Sequence, residues 1–140
     1  MPFPAPSIAH LASLHHLSQT HALPIYVVGG ALRDTLLHRP CHDNDLITPG
    51  DPTPIAQAFA KQQAGHWFWL DQFISNLAED LKRRDFTINA IACPLDDLTG
   101  WIDPLGGQVD LKNRLLRECS PQSFPDDPLR MLKGLRHCAQ

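Results

Sequence analysis

The sequence predicts an α/β (α+β) fold in which short strands alternate with amphipathic helices. Two observations carry this. Apolar and β-branched runs of strand length, Leu23–Val28 and His42–Ile47, are bounded by glycine and proline. Around them lie segments with helical spacing of apolar residues, such as Ile8, Leu11, Leu14 and Leu17. A chain of 140 residues with 43% hydrophobic residues is the size and composition of one domain with one core.

The elements follow in order. Ser7–Thr20 is expected as the first helix, with Ser7 as its N-cap. His10, His15, His16 and His21 fall in or near it. No carboxylate or cysteine partners them locally, so they read as a solvated face rather than a metal site. Leu23–Val28 is the first strand, ended by Gly29 and Gly30, and Ala31–His38 is the next helix. After a turn at Arg39–Pro40, His42–Ile47 forms the second strand. Asp51 or Thr53 is placed to cap a helix over Pro54–Gln63. His66–Leu70 (HWFWL) is expected as a strand, with Trp67 and Trp69 in the core in preference to stacking on bases. Asn76–Arg83 reads as a helix capped by Asn76, with Glu79 at capping-box spacing. Then come a turn at Asp96–Gly100, an extended piece at Trp101–Pro104, a turn at Gly106–Gly107 and a short helix at Gln108–Asn113. An extended segment at Leu115–Cys119, a loop at Phe124–Asp127 and a helix from Pro128 complete the chain.

The chemistry concentrates between Val27 and Asp45. Glycines after a strand let backbone amides approach an anion closely, and the following helix directs the favourable end of its dipole there. Arg33 and Asp34 sit at fixed positions on that helix. Strand periodicity puts Asp43 and Asp45 on one face. Adjacent carboxylates repel unless neutralised. A hard cation does this, and Mg²⁺ is commonly held by one or two carboxylates plus substrate phosphates. Arg83, Arg84 and Asp85 offer phosphate and ribose contacts. Arg130, Lys133 and Arg136 recur at three-residue spacing and share a helix face, with Asp127 one turn before Arg130.

Bulk properties narrow the partners. Net charge is −3, which gives no global basic footprint, but 9 of the 12 Lys and Arg residues lie from Lys82 onward. A polyanion-facing surface is therefore expected from the second half. Cys41, Cys93, Cys119 and Cys138 form no CxxC pair and read as free thiols in a reducing cytoplasm. No apolar run reaches membrane-spanning length, and the N-terminus lacks the basic and apolar regions of a signal peptide.

GGALRD, the Asp43–Asn44–Asp45 stretch, DLKRRDFTINAIA, IDPLGGQVDLKNRLLR and FPDDPLRMLKGLR occur in that order from about Ile25 to Gln140. In this the sequence resembles the bacterial tRNA nucleotidyltransferase and poly(A) polymerase family, the CCA-adding type (class II). The resemblance implies a nucleotidyltransferase head with a small mixed sheet flanked by helices. Residues 1–24 would form an N-terminal helix, 25–120 the head, and 121–140 the start of a helical neck. It implies an enzyme that adds CMP and/or AMP to tRNA 3′ ends, with CTP or ATP and tRNA as partners, Mg²⁺ as cofactor, and a cytoplasmic location. Asp43 and Asp45 match the catalytic, metal-binding carboxylates. Gly29, Gly30 and Arg33 match the triphosphate contacts, and Arg84, Asp85 and Asn89 the motif near the ribose. Asp127 and Arg130 match the pair that reads the base, with Lys133 and Arg136 as further nucleotide-binding residues.

Three departures from the family pattern accompany the match. Asp126 stands where a Glu is usual. Lys133 stands where an Arg is usual, and Lys cannot make the planar two-pronged contact. The segment Asp71–Ser75 is short where the family places further strands; five residues reach only about 17 Å. A truncated or internally shortened form is expected, without the helical domains that grip tRNA. The alternative is a catalytically impaired remnant that still binds nucleotide or RNA.

Overall fold

The computed structural model describes residues 11–40, 45–62, 70–71 and 76–138. In chain order the elements are α1 (Leu11–Thr20), β1 (Tyr26–Val28), α2 (Gly30–Leu36), β2 (Asp45–Ile47), α3 (Thr53–Gln62), β3 (Leu70–Asp71) and α4 (Leu77–Lys82). A single 3-10 turn (Thr87–Asn89) then leads into β4 (Ala92–Pro94), α5 (Gly107–Lys112), α6 (Ser123–Asp126) and α7 (Leu129–Cys138). The mixed sheet expected from the sequence is present. Its order is β3-β2-β1-β4, with β1 antiparallel to both β2 and β4, and β3 parallel to β2.

The register explains why the strands read as continuous apolar runs. Val27 pairs with Leu46 and Cys93, and all three enter a core covered by α1, α2 and α3 through Leu14, Leu17, Leu32, Ile55 and Phe59. Val28, Ile47 and Ala92 point to the opposite face, which Leu81 of α4 covers together with Ile102 and Leu105. With both faces buried, alternation with polar residues is lost. Thr48 is fully buried and donates its hydroxyl to the Pro24 carbonyl at 2.8 Å, tying the end of β2 to the lead into β1.

The expected caps form. Asn76 Oδ1 accepts from the amides of Ala78 and Glu79, and Asp51 Oδ1 accepts from the Thr53 amide. β1 is shorter than expected, starting at Tyr26, and the expected second strand is described from Asp45 onward, its residues 42–44 lying outside the described residues. Ser7, His10 and the predicted strand at 66–69 with Trp67 and Trp69 lie outside the described residues. One element is corrected. Phe124–Asp127, expected as a loop, is largely the short helix α6. Its cause is tertiary: Ser123 is buried, donates its hydroxyl to the Arg84 carbonyl at 3.1 Å, and offers its own carbonyl to Arg130.

Two glycines set close approaches. A Cβ on Gly107 would fall inside the Thr87 carbonyl, so the N-terminus of α5 rests directly on the 3-10 turn. A Cβ on Gly134 would meet Phe86 Cζ at 3.0 Å, so α7 lies close over the Phe86 ring. Gly134 is the buried residue of α7, while Leu129, Met131, Leu132 and Leu135 are each more than half exposed.

Cys93 is buried and Cys119 half-buried. Burial pushes Cys93 up to about 11, aided by the charge of Asp97. Burial also pushes Cys119 up to about 12, with Asp85 adding to it. Both stay protonated, and the thiol is the unreactive form. Alkylation of the native protein at mildly alkaline pH is expected to mark exposed Cys138 and spare Cys93 and Cys119. Peptide mapping by mass spectrometry reads this, and native labelling of Cys119 would contradict it. Gly107→Ala is expected to cost roughly 1–3 kcal/mol or more, because the overpacked carbonyl belongs to the backbone. Chemical denaturation measures the loss, and an unchanged midpoint would contradict the close approach.

Candidate functional site

The sheet register builds the site. Val28 pairs with Asp45 on one side and Ala92 on the other, so three strands end level with one another. The Gly29 turn leaves β1 there, Asp45 opens β2, and the 3-10 turn precedes β4. Gly29 takes φ 73° and ψ −130°, a conformation close to glycine-only. Its bare Cα faces three groups: a Cβ there would lie 3.7 Å from the Asn89 carbonyl, 3.8 Å from Arg84 Nη1 and 3.9 Å from Asp45 Oδ2.

A cleft of about 500 Å³ opens at this point. Of the residues expected from sequence, it brings together Gly29, Gly30, Arg33, Asp45, Arg84 and Asp85, and with them Asn89, Lys133 and Arg136. Asp34, Pro40 and His137 complete the lining. Four cations stand against three carboxylates among these described residues, so the cleft is locally basic in a chain whose formal charge is −3. The α2 helix has only seven residues. The anion-directed charge therefore comes mainly from guanidinium and ammonium groups, with a smaller helix-dipole share than the sequence suggests.

Asn89 is the hub. Its Oδ1 accepts from Arg33 Nη1 at 2.9 Å, its Nδ2 donates to Asp85 Oδ1 at 3.3 Å, and the same Nδ2 lies 3.3 Å from His137 Nε2. One amide thus links α2, the loop after α4, and α7. Arg33 is further held by Asp34 Oδ1 at 3.0–3.1 Å, and Arg84 by Asp80 Oδ2 at 3.2–3.3 Å. Both arginines are side-on to carboxylates one residue or one turn away, which fixes their direction while leaving donors for a ligand.

Asp127 and Arg130 are not among the lining residues. Arg130 donates to the carbonyl of Ser123 from Nη1 and to that of Arg83 from Nη2, both at 2.9 Å, with Asp127 Oδ2 4.0 Å from Nε. In this arrangement it staples α6, α7 and the end of α4. Asp43 lies outside the described residues. His137 was not among the residues the sequence singled out. The signal was there, since Lys133, Arg136 and His137 have the i, i+3, i+4 spacing of one helix face.

The site can be tested for a metal on its donors. Asp45 is exposed at the strand end and its carboxylate faces the glycine turn. No group of three or more His, Cys, Asp or Glu converges among the described residues. A protein-only cage is therefore not what these residues form. They fit a hard cation that takes carboxylate oxygen from the protein and the rest from phosphate and water.

Comparison with known proteins agrees with this geometry. The family described as "Poly A polymerase head domain" matches in two segments, residues 25–74 and 70–117. A CC-adding tRNA nucleotidyltransferase of Geobacter sulfurreducens is 36% identical over 137 residues, covering 81% of this chain and 31% of that protein. The solved structure of the Thermotoga maritima CCA-adding enzyme complexed with tRNA superposes with a TM-score of 0.82 at 32% identity, covering 91% of this chain and 36% of that one. A CCA-adding enzyme in complex with CTP gives a TM-score of 0.80 at 32% identity, over 91% of this chain and 36% of that one. The chain thus spans about a third of the length of the relatives it matches. The glycine turn, Asp45, Arg84, Asp85 and Asn89 all fall inside the matched segments, and by that match the chain belongs to the poly(A) polymerase head domain family.

Proposed function

We propose that the cleft binds CTP or ATP with Mg²⁺ and serves nucleotidyl transfer to the 3′ end of tRNA. The observation that carries this reading is the convergence of Gly29, Arg33, Asp45, Arg84 and Asn89 at one strand end. The relatives' names and titles, which include CTP, ATP and tRNA, support it. In the reaction the RNA 3′-hydroxyl oxygen bonds to the α-phosphorus, the bond to the bridging oxygen breaks, and pyrophosphate leaves. Mg²⁺ held by Asp45, with Asp43 as its second carboxylate, would polarise the phosphate oxygens and neutralise developing charge. The chain's own part is positioning. Gly29 keeps the seat open, Arg33 and Arg84 orient the phosphates, Asp85 and Asn89 lie beside the ribose, and Lys133 and Arg136 close the cleft from α7. We place the head at residues 25–120, the start of a helical neck at 121–140, and the protein in the cytoplasm.

A second reading, nucleotide or RNA binding without turnover, is favoured by one observation. The family match falls into two segments that meet at residues 70–74, where the sequence is shorter than the family pattern. Base reading by Asp127 and Arg130 belongs to the proposal as well, although Arg130 is bonded here to backbone carbonyls.

Incubation with tRNA lacking its 3′ end, Mg²⁺ and labelled CTP or ATP tests the first reading. Incorporation is expected. Its absence, with CTP still raising the melting temperature, selects the second reading, and no shift with either nucleotide rejects both. Asp45→Ala is expected to weaken the Mg²⁺-dependent part of CTP binding about tenfold or more, roughly one charge-assisted contact's share. Titration calorimetry with and without Mg²⁺ checks this, and equal affinities would reject the metal assignment. Arg130→Ala is expected to lower stability by about 1–3 kcal/mol through two orphaned carbonyls. A shift in the CTP-to-ATP affinity ratio beyond the stability loss would mark it as a base reader; an unchanged ratio would leave it structural.

A further inference from the structure

His137 lines the cleft from α7, on the same helix as Lys133 and Arg136. Its side chain is half-buried. The ring meets that of Phe86 edge-on, with centroids 5.8 Å apart and an interplanar angle of 89°. Its Nε2 lies 3.3 Å from Asn89 Nδ2. Gly134 brings α7 close over the same Phe86 ring. The helix approach and the ring packing together set where Nε2 points.

The direction of each hydrogen bond around Asn89 is fixed by partners that act in only one way. A guanidinium only donates, so the atom facing Arg33 Nη1 at 2.9 Å is Oδ1. A carboxylate only accepts, so the atom facing Asp85 Oδ1 at 3.3 Å is Nδ2. These two constraints agree, and together they set the orientation of the amide. Nδ2 carries one N–H for Asp85 and a second for His137. His137 Nε2 must then accept, which puts the ring proton on Nδ1 and leaves the ring neutral. A proton on Nε2, in the other tautomer or in the imidazolium, would set donor against donor. Packing on Phe86 accounts for an aromatic ring at this position. It does not account for a ring nitrogen turned to Asn89.

We propose that His137 is a positioning residue of the nucleotide cleft: as the neutral Nδ1–H tautomer it accepts from Asn89 and so holds Arg33 towards the phosphates. The assignment rests on the nucleotide reading of the cleft. The chain of bonds runs from α7 through Asn89 to Arg33, and Asp34 holds the same guanidinium. Bonds in such a chain reinforce one another, because each polarises the next. Without an acceptor at 137, the Asn89 amide is held by Arg33 and Asp85 alone. It then turns more freely, and Arg33 loses a fixed acceptor.

The tautomer is read first, by long-range proton–nitrogen NMR of the nucleotide-free protein at about pH 8, where an ordinary imidazole is neutral. The His137 signal, identified by its loss in His137→Gln, is expected to show a bare Nε2 and a protonated Nδ1. That is the reverse of the tautomer that a free histidine side chain favours in water. His137→Gln keeps an acceptor near the Nε2 position, whereas His137→Phe keeps the packing on Phe86 without an acceptor. Mg²⁺-dependent CTP binding, followed by titration calorimetry, is expected to weaken about three- to tenfold in the Phe variant. In the Gln variant it is expected to stay within about twofold of the parent. Equal CTP affinity in the parent and the Phe variant would overturn the proposal. So would an equal loss in both variants, which would mark His137 as a packing residue. A proton on Nε2 in a parent that binds CTP would overturn the role of His137 alone. A proton on Nδ1 in a parent that fails to bind CTP would overturn the nucleotide reading and this role with it.

Discussion

The contact on which the site depends is that of α5 with the 3-10 turn. Gly107 lets the helix rest against the Thr87 carbonyl, and buried Asp110 accepts from the Thr87 hydroxyl at 2.5 Å and from Arg117 at 2.8–3.0 Å. Asp103 receives the Gly107 and Gln108 amides, anchoring the start of the same helix. None of these groups is among the described residues that line the cleft. Their effect is to fix two faces of a three-residue turn, so that the third residue, Asn89, can hold Arg33 and Asp85 in register. The aspartate at 110 is 4% exposed and would be costly if unpaired. Its partners turn that liability into a rigid support.

The sheet supplies the other half of the geometry. Three short strands ending level place a glycine, a carboxylate and an amide-bearing turn side by side, although they lie far apart in sequence. The strands are only three residues long. Their stability therefore comes from burial on both faces rather than from ladder length. A cleft built at such an end is open to a large ligand on one side and backed by a dry core on the other. That is the combination needed to hold a polyphosphate without burying its charge.

Much of this was legible in the sequence where causes are local. Asn76 caps α4 because its side chain reaches amides two and three residues away, and the same holds for Asp51 at α3. The glycine turn, Arg33, Arg84, Asp85 and Lys133, singled out in sequence, line one cleft. What escaped is what depends on distant partners. The helix α6 exists because Ser123 bonds to Arg84, 39 residues away. Gly107 reads as a turn residue, yet what requires it is a carbonyl 20 positions earlier. Arg130 reads as a ligand-facing cation, while its donors reach Arg83 and Ser123. A sequence pattern names the donors on a helix face but not which of them the fold has already engaged.

The seat of α7 on the Phe86 ring has a consequence for the cleft. The helix brings Lys133, Arg136 and His137 to the cleft and leaves Leu129, Met131, Leu132 and Leu135 exposed. A helix this short moves as one piece. A shift of the helix would therefore move these three polar groups of the cleft together. Gly134 on Phe86 is the point at which the helix rests on the domain.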